Sequence, residues 1–137
     1  MNSSRWNILL FHLADVPFGV VVAQIMAITY PVEADAGVEV IQLPERLAFQ
    51  DRKVTYLAPR IVWVKERDVG VMIDNPERIV SIDPAEIQFL ADYTRSRRFP
   101  QAYFGVMLTP EGEPVLLLDL QGISVTETET ETLDLLV

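Results

Sequence analysis

Cysteine is absent from this sequence of 137 residues, and His12 is its only histidine. The first absence excludes disulfide frameworks, thiolate-held metals and cysteine nucleophiles together, and it is compatible with a reducing cytoplasm. The second leaves one imidazole for any Ser-His-Asp triad or His-ligated zinc, so no catalytic residue, metal ligand or cofactor is assigned. Basic residues are also scarce: 11 Lys and Arg stand against 20 Asp and Glu, for a net charge of −9. That is the wrong sign for a nucleic-acid partner, because affinity for a polyanion comes largely from neutralised phosphates. Glu127, Glu129, Glu131 and Asp134 lie beyond residue 125 and every basic residue lies before it, so the body before that point carries 11 basic and 16 acidic side chains, a net −5.

A long hydrophobic run is missing as well. Ile8 to Tyr30 is rich in apolar residues, but Asp15 and Pro17 interrupt it. The uncharged stretch from Val16 to Val32 only just reaches a spanning length and contains Pro17, Gly19 and Gln24. Neither a membrane span nor a signal peptide is expected from it.

What is present is material for one packed β domain. Half of the residues are hydrophobic, and a chain of this length can bury roughly two thirds of its unfolded surface. Read with a period of two, Trp6 to Leu13 sets Leu9, Phe11 and Leu13 on one face and Ile8, Leu10 and His12 on the other, the pattern of a strand buried on both sides. A turn over Ala14 to Pro17 leads to extended segments at Phe18 to Val22 and Ile25 to Tyr30. Further strands are predicted at Val38 to Leu43, Arg60 to Lys65, Val69 to Asp74, Glu77 to Ile82, Tyr103 to Leu108 and Pro114 to Leu120. Pro44 begins a single helical turn. Asp83-Pro84-Ala85-Glu86 reads as a helix start, and Ile87, Leu90 and Ala91 continue at helical spacing, predicting one to three turns that end before Phe99-Pro100. The Thr/Glu alternation from Thr126 to Glu131 offers no apolar face and reads as a solvated tail over residues 126–137, although Leu133 to Val137 could serve as a docking peptide.

Phe11-His12-Leu13-Ala14-Asp15 with Phe18-Gly19-Val20 resembles the opening of CheW-like domains, the coupling proteins of bacterial chemosensory arrays. Val69-Gly70-Val71-Met72-Ile73-Asp74, followed by Ile79-Val80-Ser81-Ile82-Asp83-Pro84-Ala85-Glu86-Ile87, resembles the family's central pattern without a gap. Tyr103-Phe104-Gly105-Val106 and Val115 to Leu120 resemble its closing strands, displaced by one residue before the glycine. The resemblance covers most of residues 6–123. It implies a mostly β fold of two small five-stranded barrel subdomains with one or two short helices. They would form a single domain over residues 1–125, with subdomains near 14–58 and 59–113 and the segments 6–13 and 114–123 in a shared core. The two glycine-containing runs, Phe18 to Val22 and Val69 to Ile73, fit a duplicated barrel or a coincidence of strand composition.

The implied role is that of a cytoplasmic adaptor holding the regulatory domain of a chemosensory histidine kinase and methyl-accepting receptors in one complex. By the same resemblance, Ile25, Ile28, Tyr30, Tyr103, Phe104 and Val106 lie near the seam between barrels, where a receptor hairpin would rest. Each of them also suits a core, where apolar strand residues usually are. Arg95, Arg97 and Arg98 form the one basic cluster and could pair with a partner's carboxylates, or simply be solvated. Between Pro31 and Val38 the chain is shorter than the family pattern, so the first subdomain is read as having lost about one strand. An edge exposed in this way invites a second copy or a partner. Ala27 stands where the family often has an acidic residue.

Two rival readings remain: a self-assembling structural protein that kept the fold without kinase or receptor coupling, and a small-molecule-binding barrel with an apolar pocket. Asp68 and Asp74 read as turn residues. A helical bundle, or an organised cleft in which His12 faces converging carboxylates, would overturn a non-enzymatic reading.

Overall fold

The computed structural model describes residues 4–31, 38–46, 54–90 and 103–123. Among these residues ten strands form two sheets: β1 (Trp6–Leu13), β2 (Val16–Val21), β3 (Ile25–Thr29), β4 (Glu39–Gln42), β5 (Pro59–Val64), β6 (Val69–Asp74), β7 (Pro76–Ile82), β8 (Gln88–Phe89), β9 (Tyr103–Leu108) and β10 (Pro114–Leu118). Two four-residue helices accompany them, α1 (Leu43–Arg46) and α2 (Leu120–Ile123). The first sheet runs β7-β1-β2-β10-β9-β8 and the second β3-β5-β6-β4. The fold is mostly β with short helices, as expected. Its ladders hold six and four strands among the described residues, where two sets of five were implied.

β1 lies at the heart of the molecule, and its alternation is the reason. Leu9, Phe11 and Leu13 enter a core between the two sheets, where they meet Val62, Val71 and Ile73 of the second sheet. Ile8 and Leu10 point the other way into a second core with Val80 and Ile82 of β7, Met107 of β9 and Leu117 of β10. Side chains from β7 and from β9 share that second core although three strands separate them in the ladder. The six-stranded sheet is therefore curled around it.

The β1–β2 hairpin is closed by two residues, Ala14 (φ 52°) and Asp15 (φ 67°), with Leu13 paired to Val16. Positive φ at both central positions is the turn whose twist matches that of the flanking strands. The turn is thus tighter than the expected four residues.

Two local expectations are corrected. Asp83 caps as predicted, its carboxylate accepting from the Ala85 amide at 2.9 Å, but only a 3-10 turn over Pro84–Glu86 follows. The predicted continuation at helical spacing is replaced by β8, which pairs with Val106 and Gly105 of β9. Burial of Ile87 and this pairing outweigh local propensity. Gly105 makes the approach possible, since a Cβ there would stand 2.9 Å from Ile87 Cγ2 and 3.0 Å from the Gln88 carbonyl oxygen. The last strand also stops at Leu118 instead of Leu120. There the Asp119 carboxylate accepts from the Gln121 amide at 3.1 Å and starts α2, which drops Leu120 and Ile123 into the core between the sheets.

The predicted end of the helix before Phe99-Pro100, the shortened segment between Pro31 and Val38 and the acidic tail lie outside the described residues.

Candidate protein-docking surface

Among the described residues β3 is an edge strand. Within the sequence Ile-Met-Ala-Ile-Thr it carries no charge, and its pairing with β5 slips by one residue between Ile25 and Ala27. Ile25 packs against the core between the sheets. Met26, Ile28 and Tyr30 are 63, 45 and 54% exposed. Tyr30 carries the Arg60 guanidinium 4.1 Å above its ring centroid, a cation–π contact that holds the ring at the end of the strand. Thr29 accepts from the Trp63 indole at 2.9 Å, and this ties β3 to β5.

The other expected docking residues sit on β9, in the six-stranded sheet. Tyr103 packs against the same core as Ile25, so these two are brought to one body of side chains. Phe104 does not join them. The β9–β10 register shifts so that Leu117 faces Gly105 while Leu118 faces Tyr103, and the extra residue, Phe104, packs on the second core. There it forms an aromatic group with Trp6 and Phe89, at centroid distances of 6.3 and 6.0 Å. Val106 is half-buried and paired with Leu116 and Gln88. Arg95, Arg97 and Arg98 lie outside the described residues.

Sequence reasoning missed the joint between the sheets. Gln24, in the 3-10 turn that carries the chain from β2 to β3, donates to the Asp119 carboxylate at 3.0 Å and accepts from the Leu120 amide at 2.9 Å. Its carbonyl accepts from the Lys65 amide at 2.9 Å, and the Gln121 side chain donates to the Lys65 carbonyl at 2.7 Å. The available signal was an amide inside an otherwise apolar stretch: a half-buried polar group requires a partner.

His12 has partners that its position in a strand did not reveal. Nδ1 lies 3.0 Å from Glu77 Oε2 and Nε2 lies 3.6 Å from Glu113 Oε2. The imidazole also lines a hollow of about 390 Å³ with Asp15, Thr55, Asp74 and Glu77. This is the arrangement named above as adverse to a non-enzymatic reading, and its composition decides its weight. Asp74 is buried and is not a free carboxylate: it accepts from the Leu57 amide at 2.9 and 3.0 Å and from the Ala58 amide at 2.7 Å, fastening the segment before β5 to the end of β6. It is a structural acceptor, where a turn residue was expected. Glu77 and Glu113 are partly exposed and engaged with the imidazole. Beside them Arg78 pairs with Glu111. The hydrogen bond from Arg78 holds the Glu111 carboxyl below its usual range, while the bond to Glu111 raises the guanidinium. The geometry is that of a polar belt joining β7 to the β9–β10 loop, with Arg78–Glu111 as its ion pair.

A second hollow, of about 400 Å³, is lined by Arg5, Ser81, Glu86 and Thr109 together with Val80, Ile82 and Met107. Its mixed lining, like the polar lining of the first, differs from the apolar pocket that the small-molecule reading requires.

No protein-family model matches the chain, and no curated protein matches it in sequence. A solved structure does: the scaffolding protein TtCheW from Thermoanaerobacter tengcongensis superposes with a TM-score of 0.66 at 17% identity, over 87% of each chain. The fold is CheW-like. No helix among the described residues is long and apolar enough to cross a membrane.

Proposed function

We propose that the chain is a non-enzymatic scaffold of a chemosensory complex, acting in the cytoplasm by holding other proteins side by side. What supports the reading most is the likeness to the CheW scaffolding protein over nearly the whole chain, joined to motifs that run in the same order. The uncharged, exposed ridge of β3 adds to it, because an apolar patch rimmed by polar residues is the usual mark of a protein-docking surface.

In this reading the partners are the regulatory domain of a chemosensory histidine kinase and the tip of a methyl-accepting receptor. Ile28 and Tyr30 supply exposed contact and Ile25 and Tyr103 set its floor, while Phe104, on the second core, and Val106 would belong to a separate contact on β9. Arg95, Arg97 and Arg98 would add forked pairs to carboxylates of a partner. The His12 belt takes no part in chemistry here. Of the groups lining its hollow, Asp74 is held by the Leu57 and Ala58 amides and Glu77 by His12, and no cysteine or lysine is among the lining residues.

The test is titration calorimetry of the full chain against a kinase regulatory domain and against a receptor tip, repeated with Tyr30→Ala and with Arg97 and Arg98 reversed to Glu. Binding to at least one partner, weakened about tenfold or more by Tyr30→Ala, supports the reading, since tyrosines at interfaces are frequent hot spots. No binding to either partner removes it. Unchanged affinity after charge reversal removes the arginine cluster from the surface.

A further inference from the structure

The two ring nitrogens of His12 face carboxylates that come from different elements, and the two contacts are unequal. Nδ1 stands 3.0 Å from Glu77 Oε2 on β7, while Nε2 stands 3.6 Å from Glu113 Oε2 at the end of the β9–β10 loop. A neutral imidazole explains the difference. It carries one N–H, so it donates to one carboxylate and sets a bare lone pair against the other. The shorter distance assigns the proton to Nδ1, bonded to Glu77. At 3.6 Å, Nε2 stands beyond hydrogen-bond reach of Glu113, yet within reach once it too carries a proton.

We propose that a second proton on His12 closes a clasp, in which the imidazolium donates from both nitrogens and fastens the β9–β10 loop to β1 and β7. The loop is already shaped to present Glu113. The Thr109 amide donates to the Glu113 carbonyl at 2.8 Å, the Glu113 amide donates to the Thr109 hydroxyl at 3.0 Å, and the Gly112 amide donates to the Thr109 carbonyl at 2.8 Å. Little order is therefore lost when the carboxylate engages. A positive charge on the ring meets mainly acidic groups: besides Glu77 and Glu113, Asp15 of the β1–β2 turn and Asp74 at the end of β6 line the same hollow. Pro17, opposite His12 on β2, and Thr55 and Leu57, before β5, bring no charge. Arg78 opposes the added charge, but Glu111 pairs with it. The clasp holds while the imidazole is protonated and both glutamates are ionised. It opens as pH rises and the ring loses its second proton, and again in acid as the glutamates gain theirs. The Arg78–Glu111 pair, which fastens the same loop, is not released on the alkaline side. This inference is independent of the signalling role.

Amide hydrogen exchange of the full chain, read by NMR at Gly112 and Glu113, tests the clasp. Rates are normalised to the unstructured amide at each pH and compared with amides of β6, which removes intrinsic and global effects. Between about pH 8 and about pH 5.5, the span in which an imidazole titrates, protection of the loop in the wild type should rise. The side chains are partly exposed, so the rise is about two- to fivefold and shrinks in salt. His12→Gln keeps a neutral donor for Glu77 and should show no rise. Glu113→Gln keeps the loop and removes the charge, with the same result. Ring nitrogen shifts of His12 check the premise: at about pH 8 the single proton sits on Nδ1. Loop protection that is unchanged in the wild type overturns the proposal, as does a rise that survives in Glu113→Gln, or a neutral ring protonated on Nε2. Should His12→Gln fail to fold, Glu113→Gln, at a half-exposed loop position, decides alone.

Discussion

Gln24 and Asp119 meet at 3.0 Å across the joint between the two sheets, although 95 residues separate them in sequence. The same amide side chain also accepts from the Leu120 amide, so one residue both starts α2 and fixes where the chain leaves the first sheet for the second. Gln24→Leu keeps the bulk and removes both bonds. A loss of roughly 1–3 kcal/mol is expected, because a half-buried amide is left without its acceptor. Urea unfolding measures the loss, and faster hydrogen exchange at the Leu120 amide locates it. Gln24→Glu should cost more at neutral pH, since it sets one carboxylate against another.

Gly70 lies beneath Trp63. A Cβ at position 70 would stand 2.6 Å from Ile61 Cγ2 and 3.1 Å from the Trp63 ring. Isoleucine is stiff at χ1 and the indole is held by Thr29, so neither neighbour yields easily. Gly70→Ala is expected to destabilise by about 1–3 kcal/mol through overpacking. Thermal denaturation would show it, and a shift in Trp63 fluorescence would tie the loss to the displaced ring.

The β1–β2 turn should gain from substitution. Ala14 and Asp15 hold positive φ, a conformation that costs an ordinary L-residue about 1 kcal/mol and that Asn-Gly adopts readily. The double variant Ala14→Asn, Asp15→Gly is expected to raise stability by about 1 kcal/mol. A lower melting temperature would contradict this account of the turn.

The Arg78–Glu111 pair yields a pH dependence of known sign. The hydrogen bond from Arg78 lowers the folded-state pKa of Glu111. Its contribution is therefore fully present above the ordinary carboxylate range and is lost as pH falls through the lowered folded value. Melting temperatures of wild type and Glu111→Gln should differ at neutral pH and converge as pH falls through the lowered folded-state value. Both side chains are well exposed, so the difference is small and shrinks in salt.

The strands were legible in the sequence wherever alternation and turn residues agreed. β1 shows this most clearly: its two apolar sets were separable by period alone and enter two different cores. The failures have one cause. β8 and α2 depend on partners distant in sequence, Gly105 for the first and Gln24 for the second, and local spacing is blind to both. The docking residues were legible only as apolar strand positions. Which of them face solvent follows from β3 being an edge and from the extra residue at Phe104, neither of which short-range pattern can supply. His12 was passed over because its carboxylates come from β7 and from the β9–β10 loop.

The double burial of β1 makes the molecule mechanically indivisible. With one face of a single strand in each core, loss of either core strips one side of the strand that the other packs against. Strain applied at the far end of one sheet has a direct route to the other through a backbone they share. In the proposed scaffold role, that shared strand would act as a keel.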